Sequence, residues 1–223
     1  MSPLSERLDA RPAKQERSRK TLERLLDAAE AVFGERGVDG ATVPAIARRS
    51  GLSVGVVYRR FADKDALLRG VYERFFARSR EANRAALDPA RWRGRNAAQI
   101  LRAVVPGMVT GYRQNRRLLG SLLLYAETHP DPGFRRRADR LSREAFDGVA
   151  SLLLARRSEI RHPDPERAIP LVLLAVGSLL RTLAWSERAR PFAASDKLPE
   201  ELTRLCMRYL DVSSDGPSDR ARA

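Results

Sequence analysis

Apolar positions recur at helical spacing from near the start of this chain almost to its end. Leu22, Leu25, Leu26, Ala29, Val32 and Phe33 follow the i, i+3, i+4, i+7 rule, which predicts a helix over residues 17–36 with Gly37 as its stop. Two short helices fit between there and residue 60. A long amphipathic helix over residues 64–86 then carries Leu67, Leu68, Val71, Tyr72, Phe75 and Phe76. Beyond Pro89 the periodicity predicts further helices over 96–114, 116–127, 133–157, 165–185 and 199–210. His-Pro-Asp-Pro-Gly at 129–133 reads as a turn, and Asp164 with Pro165 reads as a helix cap and first turn. No run alternates long enough to argue for a strand. The chain reads as all-α.

The most informative stretch is residues 41–64. Thr42 suits the cap of a helix over 43–50, and small Ala47 lets a second helix cross closely. Gly51 stands where the chain must leave that helix in a left-handed conformation. Ser53 suits the cap of a second helix over 54–60, and Ile46, Leu52 and Val57 supply a small core between the two. Two helices joined by a short Gly-containing turn form a helix-turn-helix, whose second helix enters the DNA major groove. From residue type alone, Tyr58 and Phe61 are open to two readings each, as core aromatics or as outward contacts.

These residues resemble the TetR family of regulators. The resemblance rests on Leu25, Ala28 or Ala29, Phe33 and Gly37, then Thr42, Ile46-Ala47, Gly51-Leu52-Ser53, Gly55, Tyr58, Phe61, Lys64 and Leu67. It implies an N-terminal three-helix helix-turn-helix DNA-binding domain and a larger helical ligand-binding and dimerisation domain. Carried over by position, it implies that the hydroxyls of Thr42 and Tyr58 contact phosphates and that Lys64 clamps one. Val54, Gly55 and Val56 face base edges, Val43 and Pro44 lie beside the DNA backbone, and Arg60 adds a further contact. The reading helix offers mainly methyl groups, so thymine methyls and DNA shape are its available readout. The family's mechanism is release from DNA when a ligand in the C-terminal domain shifts the helix that begins at Lys64.

Charge changes the picture only in detail. The formal charge of +14 is spread widely, since residues 1–64 hold 13 Lys/Arg against 9 Asp/Glu. Within them, residues 11–20 and 40–64 each carry five bases against one acid, while 21–39 hold two bases against five. A basic arm and a basic motif suit phosphate contacts. The expected division is a flexible basic arm at 1–16, the DNA-binding domain at 17–64, the ligand-binding and dimerisation domain at 65–212, and a disordered tail at 213–223.

In the larger domain, Leu171–Leu180 is apolar on nearly all faces, so more than its own domain must cover it. A partner chain is the economical cover, and a central helix of a monomeric core is the alternative. The expected dimer residues are Leu171, Leu174, Gly177, Ser178, Arg181, Leu202 and Leu205. Expected pocket residues, mixing apolar bulk with polar handles, are Trp92, Met108, Tyr112, Tyr125, Glu127, His129 and Phe146. The single Cys206 excludes an internal disulfide and a multi-cysteine metal site, and no cofactor is expected. The longest apolar run, about 13 residues at 168–180, is short for a membrane span. With no apolar leader at the N-terminus, the expectation is a cytoplasmic, non-enzymatic regulator with no membrane role. Its expected partners are double-stranded DNA with a palindromic operator, a second copy of itself and an unknown small-molecule effector. The alternative is a helical interaction or nucleoid-type DNA-binding protein without ligand control.

Overall fold

Nine α-helices make up most of the described chain. The computed structural model describes the backbone of residues 3–213, and side chains from Gln15 onward except at 141, 142, 145, 185, 187 and 190. Apart from Ser213, the expected disordered tail lies outside the described residues. They contain no strand, only one antiparallel bridge between Ile160 and Val212.

Helix α1 (Pro3–Gly40) includes the segment expected to be a flexible arm, whose backbone from Pro3 continues the helix. The expected stop at Gly37 is visible in the dihedrals: φ 71° there breaks the helical backbone. Helices α2 (Val43–Ser50) and α3 (Val54–Tyr58) follow, then α4 (Lys64–Ala86). Helix α3 ends sooner than expected, and the Arg60 amide bonds to the carbonyl of Val57 only three residues back, tightening the last turn.

Two compact units result, residues 1–75 and 76–223, so the division falls inside α4 and not at its start. The first unit buries Leu25, Ala29, Phe33, Ile46, Val57, Leu67, Leu68, Val71 and Tyr72. Phe61 belongs with these apolar residues. A Cβ added at Gly70 would lie 2.9 Å from its ring.

The second unit packs α5 (Ala97–Thr128), α6 (Pro132–Leu154), α7 (Pro165–Trp185) and α9 (Leu198–Tyr209) around one apolar cluster, with short α8 (Arg190–Ala194) at its side. Two helices were expected where α5 runs unbroken. Asn115, the polar residue at the expected break, donates from Nδ2 to the carbonyl of Gly111 at 2.9 Å and so satisfies itself without leaving the helix. Asp131 caps α6, and the Gly133 amide bonded to its carboxylate lowers that group's pKa. Asp164 caps α7 as expected, accepting the Arg167 amide.

Within α7, Pro165–Ala184 is long and apolar enough to cross a membrane by length and composition, contrary to the expectation of a shorter run. Its inward face, including Ile169, Val172, Leu173, Val176 and Leu180, is part of the unit's own core.

Candidate nucleic-acid interface

Local chemistry builds the helix-turn-helix. Thr42 Oγ1 accepts the Ala45 amide at 3.3 Å and Ser53 Oγ accepts that of Val56 at 3.4 Å, so each short helix has its first turn closed by a hydroxyl. Gly51 sits at φ 64°, ψ 29°, a left-handed residue that lets Leu52 bond back to the carbonyl of Ala47 at 3.0 Å. Arg24 on α1 donates to the Ser50 carbonyl at 2.7 Å, adding a cation where the α2 dipole ends negative. Ile46, Ala47 and Val57 are buried beneath the turn.

The outward side chains come from the start of α2 and from α3. Thr42, Pro44 and Gly55 are exposed, Val54 is 37% exposed and Tyr58 is 51% exposed. Tyr58 is therefore not a core aromatic. Val56 is half-buried. Val43 is buried, because the first residue of α2 turns its side chain toward the core, so its own backbone is the part able to lie beside DNA.

Arg60 and Lys64 are already engaged within the unit. Arg60 Nη2 donates to the carbonyl and hydroxyl oxygens of Ser18, both at 3.0 Å. Lys64 Nζ donates to the carbonyls of Val38 at 2.9 Å and Ala41 at 3.1 Å, joining the start of α4 to the chain between α1 and α2. Both contacts span more than 20 residues, and nothing in local spacing announces them. Arg24 and Ser18 were missed for the same reason. Removing the Lys64 ammonium leaves two part-buried carbonyls short of a donor. Lys64→Met should therefore lower stability by about 1–2 kcal/mol in a urea melt without DNA. An unchanged midpoint would mean that water replaces the lysine.

In the second unit the expected pocket residues do not converge. Tyr125 and His129 join Phe134, with ring centroids 4.4–5.5 Å apart, and His129 Nδ1 accepts the Asp131 amide at 3.1 Å. Phe134, unforeseen, completes that group. Met108, Tyr112, Phe146 and Trp92 pack separately against the α5–α9 cluster, and Trp92 Nε1 donates to the Ala86 carbonyl at 2.9 Å. Glu127 is exposed. Tyr112 lines a small apolar cavity of about 20 Å³ between α5, α7, α8 and α9.

The expected dimer residues also divide. Leu171, Leu174 and Leu205 are half-exposed or more, and Arg181 is exposed. Leu202 is 4% exposed within its own unit's core, and Gly177 is covered by the ring of Phe146, so neither faces outward. Cys206 is fully buried, and burial pushes its thiol up to about 11, so it is not a reactive sensor.

Comparison with known proteins agrees with this geometry. Residues 25–71 match the family model for bacterial regulatory proteins of the tetR family, and residues 98–210 match the tetracyclin repressor-like C-terminal domain. An HTH-type transcriptional repressor of Mycobacterium tuberculosis is 29% identical over 183 residues, covering 81% of this chain and 91% of its own length. The repressor KstR2 of the same species is 41% identical over 69 residues, 29% of this chain and 34% of its own. Among solved structures, the regulator FadR of Bacillus subtilis in complex with stearoyl-CoA aligns with TM-score 0.63 at 17% identity, covering 87% of this chain and 99% of that one. The chain belongs to the TetR family of bacterial transcriptional regulators.

Proposed function

We propose that this regulator is a dimeric, sequence-specific repressor that leaves a palindromic operator when a small molecule binds its C-terminal unit. The observation that carries the reading is the capped helix-turn-helix with Thr42, Pro44, Val54, Gly55 and Tyr58 turned outward. In this reading Thr42 and Tyr58 give hydroxyls to phosphates, while Val54 and Val56 touch thymine methyls beside Gly55. Arg60 and Lys64 mainly hold the unit's shape, with their remaining N–H groups turned to phosphate.

Dimerisation is supported by the outward apolar side chains of α7 and α9. Leu171, Leu174 and Leu179 on the first, and Leu205 and Tyr209 on the second, are exposed. Ser178 and Arg181 edge the same surface of α7. Two-fold pairing places two reading helices about one DNA turn apart, hence a palindromic site. Ligand control is supported by the FadR complex, in which that protein holds stearoyl-CoA. Helix α4 begins in one unit and ends in the other, so a ligand-driven shift of it changes the spacing of the two heads. The protein works in the cytoplasm, where its DNA is.

A gel shift on the gene's own upstream DNA at two salt concentrations tests this reading. One fragment should be retained at the higher salt while unrelated DNA is released. Tyr58→Phe should weaken both by a similar factor, roughly tenfold at most. Val54→Ser should instead change which sequence is preferred. Equal retention of all fragments would leave a non-specific DNA binder.

A further inference from the structure

We propose that Arg59 reads a guanine in the major groove, and that bare Gly55 beside it lets the reading helix close on the base edges. The proposal rests on the sequence-specific reading above and supplies the hydrogen-bonding group which that reading lacks.

Helix α3 turns one residue fully inward, Val57, which is 1% exposed. At 3.6 residues per turn, the positions two before and two after it stand about 160–200° round the axis. Those positions are Gly55 and Arg59, and both are exposed. The helical turn continues through Arg59, at φ −69° and ψ −20°, and its amide donates to the Gly55 carbonyl at 3.1 Å. Residues four apart are neighbours on one helix face, so the Arg59 side chain has Gly55 beside it. Val54 and Tyr58 flank this ridge on one side and Val56 on the other. The side chain opposite the buried face of the reading helix is therefore a guanidinium and not a methyl group.

That guanidinium is uncommitted. Helix α2 carries Arg48 and Arg49, and Arg59 and Arg60 close α3. Arg49 holds Glu35 at 2.7 Å and Arg60 holds Ser18 at 3.0 Å. The side chains of Arg48 and Arg59 are exposed and make no hydrogen bond or ion pair with any described residue. Arg48 belongs to α2, one turn beyond Pro44, so the free cation of the reading helix is Arg59.

Gly55 is an independent sign of close approach. Its φ lies outside the left-handed region that Gly37, Gly51 and Gly94 occupy. A Cβ there would have Ser53 Oγ as its nearest neighbour, at 4.0 Å. Neither conformation nor packing in its own chain requires a glycine, and glycine inside a helix lowers stability relative to alanine. A side chain that the fold could hold and does not carry leaves room for a surface arriving from outside.

Guanine is the base that suits the group. In the major groove it presents two acceptors, O6 and N7, and a guanidinium fork donates to both at once. Adenine and cytosine each present a donor amine there, and thymine presents a single acceptor beside its methyl. A side chain that can only donate therefore favours guanine.

Selection by the full-length protein from a duplex library with a randomised core tests the assignment. The recovered sequence should hold a guanine at one position of each half-site. Arg59→Ala should erase the preference at that position and leave the others. Arg59→Gln should convert it to adenine, whose N6 and N7 suit an amide. On the selected duplex, 7-deazaguanine at that position removes the N7 acceptor and should weaken binding roughly tenfold, whereas the Arg59→Ala variant should bind both duplexes equally. Gly55→Ala should weaken binding to the selected duplex while the melting temperature without DNA stays level or rises. Circular dichroism melts establish that each variant is folded. A base preference unmoved by Arg59→Ala, indifference to 7-deazaguanine, or full affinity in Gly55→Ala would each overturn the proposal. So would an equal loss on all duplexes with a shallower salt dependence, the mark of a phosphate contact. If the unaltered protein selects no sequence, the sequence-specific reading fails and takes this one with it. If it selects a sequence that Arg59→Ala leaves intact, the guanine contact alone fails.

Discussion

Replacing Arg74 with leucine is expected to lower the stability of the first unit by about 2–3 kcal/mol. Arg74 lies on α4 and reaches α1 through its whole guanidinium. Its Nε donates to Glu30 Oε1 at 2.8 Å, and Nη2 lies 2.7 Å from the same oxygen without the alignment of a hydrogen bond. Nη1 lies 2.8 Å from Asp27 Oδ1 and reaches the Glu23 carbonyl at 3.3 Å. The Arg74 side chain is 17% exposed and that of Glu30 is 14% exposed, whereas Asp27 is 66% exposed. The Glu30 pair therefore dominates, and Asp27 adds little once salt screens it. Deleting the cation leaves a largely buried carboxylate that has lost its arginine. Full burial of both partners would cost about 3–5 kcal/mol on such a deletion, and the partial exposure here places the loss below that range.

A urea melt reads the total, and hydrogen exchange along residues 17–36 shows whether the loss is local to α1. The double variant Arg74→Leu/Glu30→Leu should recover part of the loss, because both charges are then gone. A loss below about 0.5 kcal/mol in the single variant would show an ion pair that water already screens. Since α1 packs on α2, loosening it should also lower DNA affinity.

The features legible in the sequence are those fixed by neighbours three or four residues away. Thr42, Ser53 and Asp164 cap the helices they were expected to cap, and Gly51 adopts the left-handed turn its position demands. Such contacts depend on spacing along one stretch of backbone, which residue type and order record. Features that depend on distant partners are not legible there. Lys64 and Arg60 carry the charge suited to a phosphate, and each also donates to carbonyls 23 to 42 residues away. Leu202 and Leu205 are three residues apart on α9, and only the packed unit shows that the first faces in and the second out. Asn115 looked like a break because its side chain competes with the backbone, and its bond to Gly111 is invisible in composition. The cavity gathers residues from four helices, and of these the sequence pointed only to Tyr112.

Gly177→Val should cost about 2 kcal/mol, a fall in melting temperature of roughly 4–8 °C for a chain of this size. A small residue in an apolar helix permits close approach without saying by what. Here the approach is made by Phe146 of α6: a Cβ at Gly177 would stand 2.3 Å from its Cζ and 2.8 Å from its Cε1. No contact survives at those distances, so the ring must yield. If it swings outward it loses the burial it now has against the α5–α9 cluster. If it stays, α6 and α7 must part, and Val149 and Val176 in the same cluster separate with them. Either response loses packing, and valine, branched at Cβ, forces the larger movement. The companion variant Phe146→Ala/Gly177→Val separates packing from backbone propensity. It should show no further loss beyond Phe146→Ala alone, because the ring that clashes is absent. Sedimentation of Gly177→Val at several concentrations adds an independent readout. In this structure the glycine serves its own chain, so the association constant should change little while the protein remains folded. A variant of unchanged melting temperature but weakened self-association would instead place Gly177 at the contact between two copies.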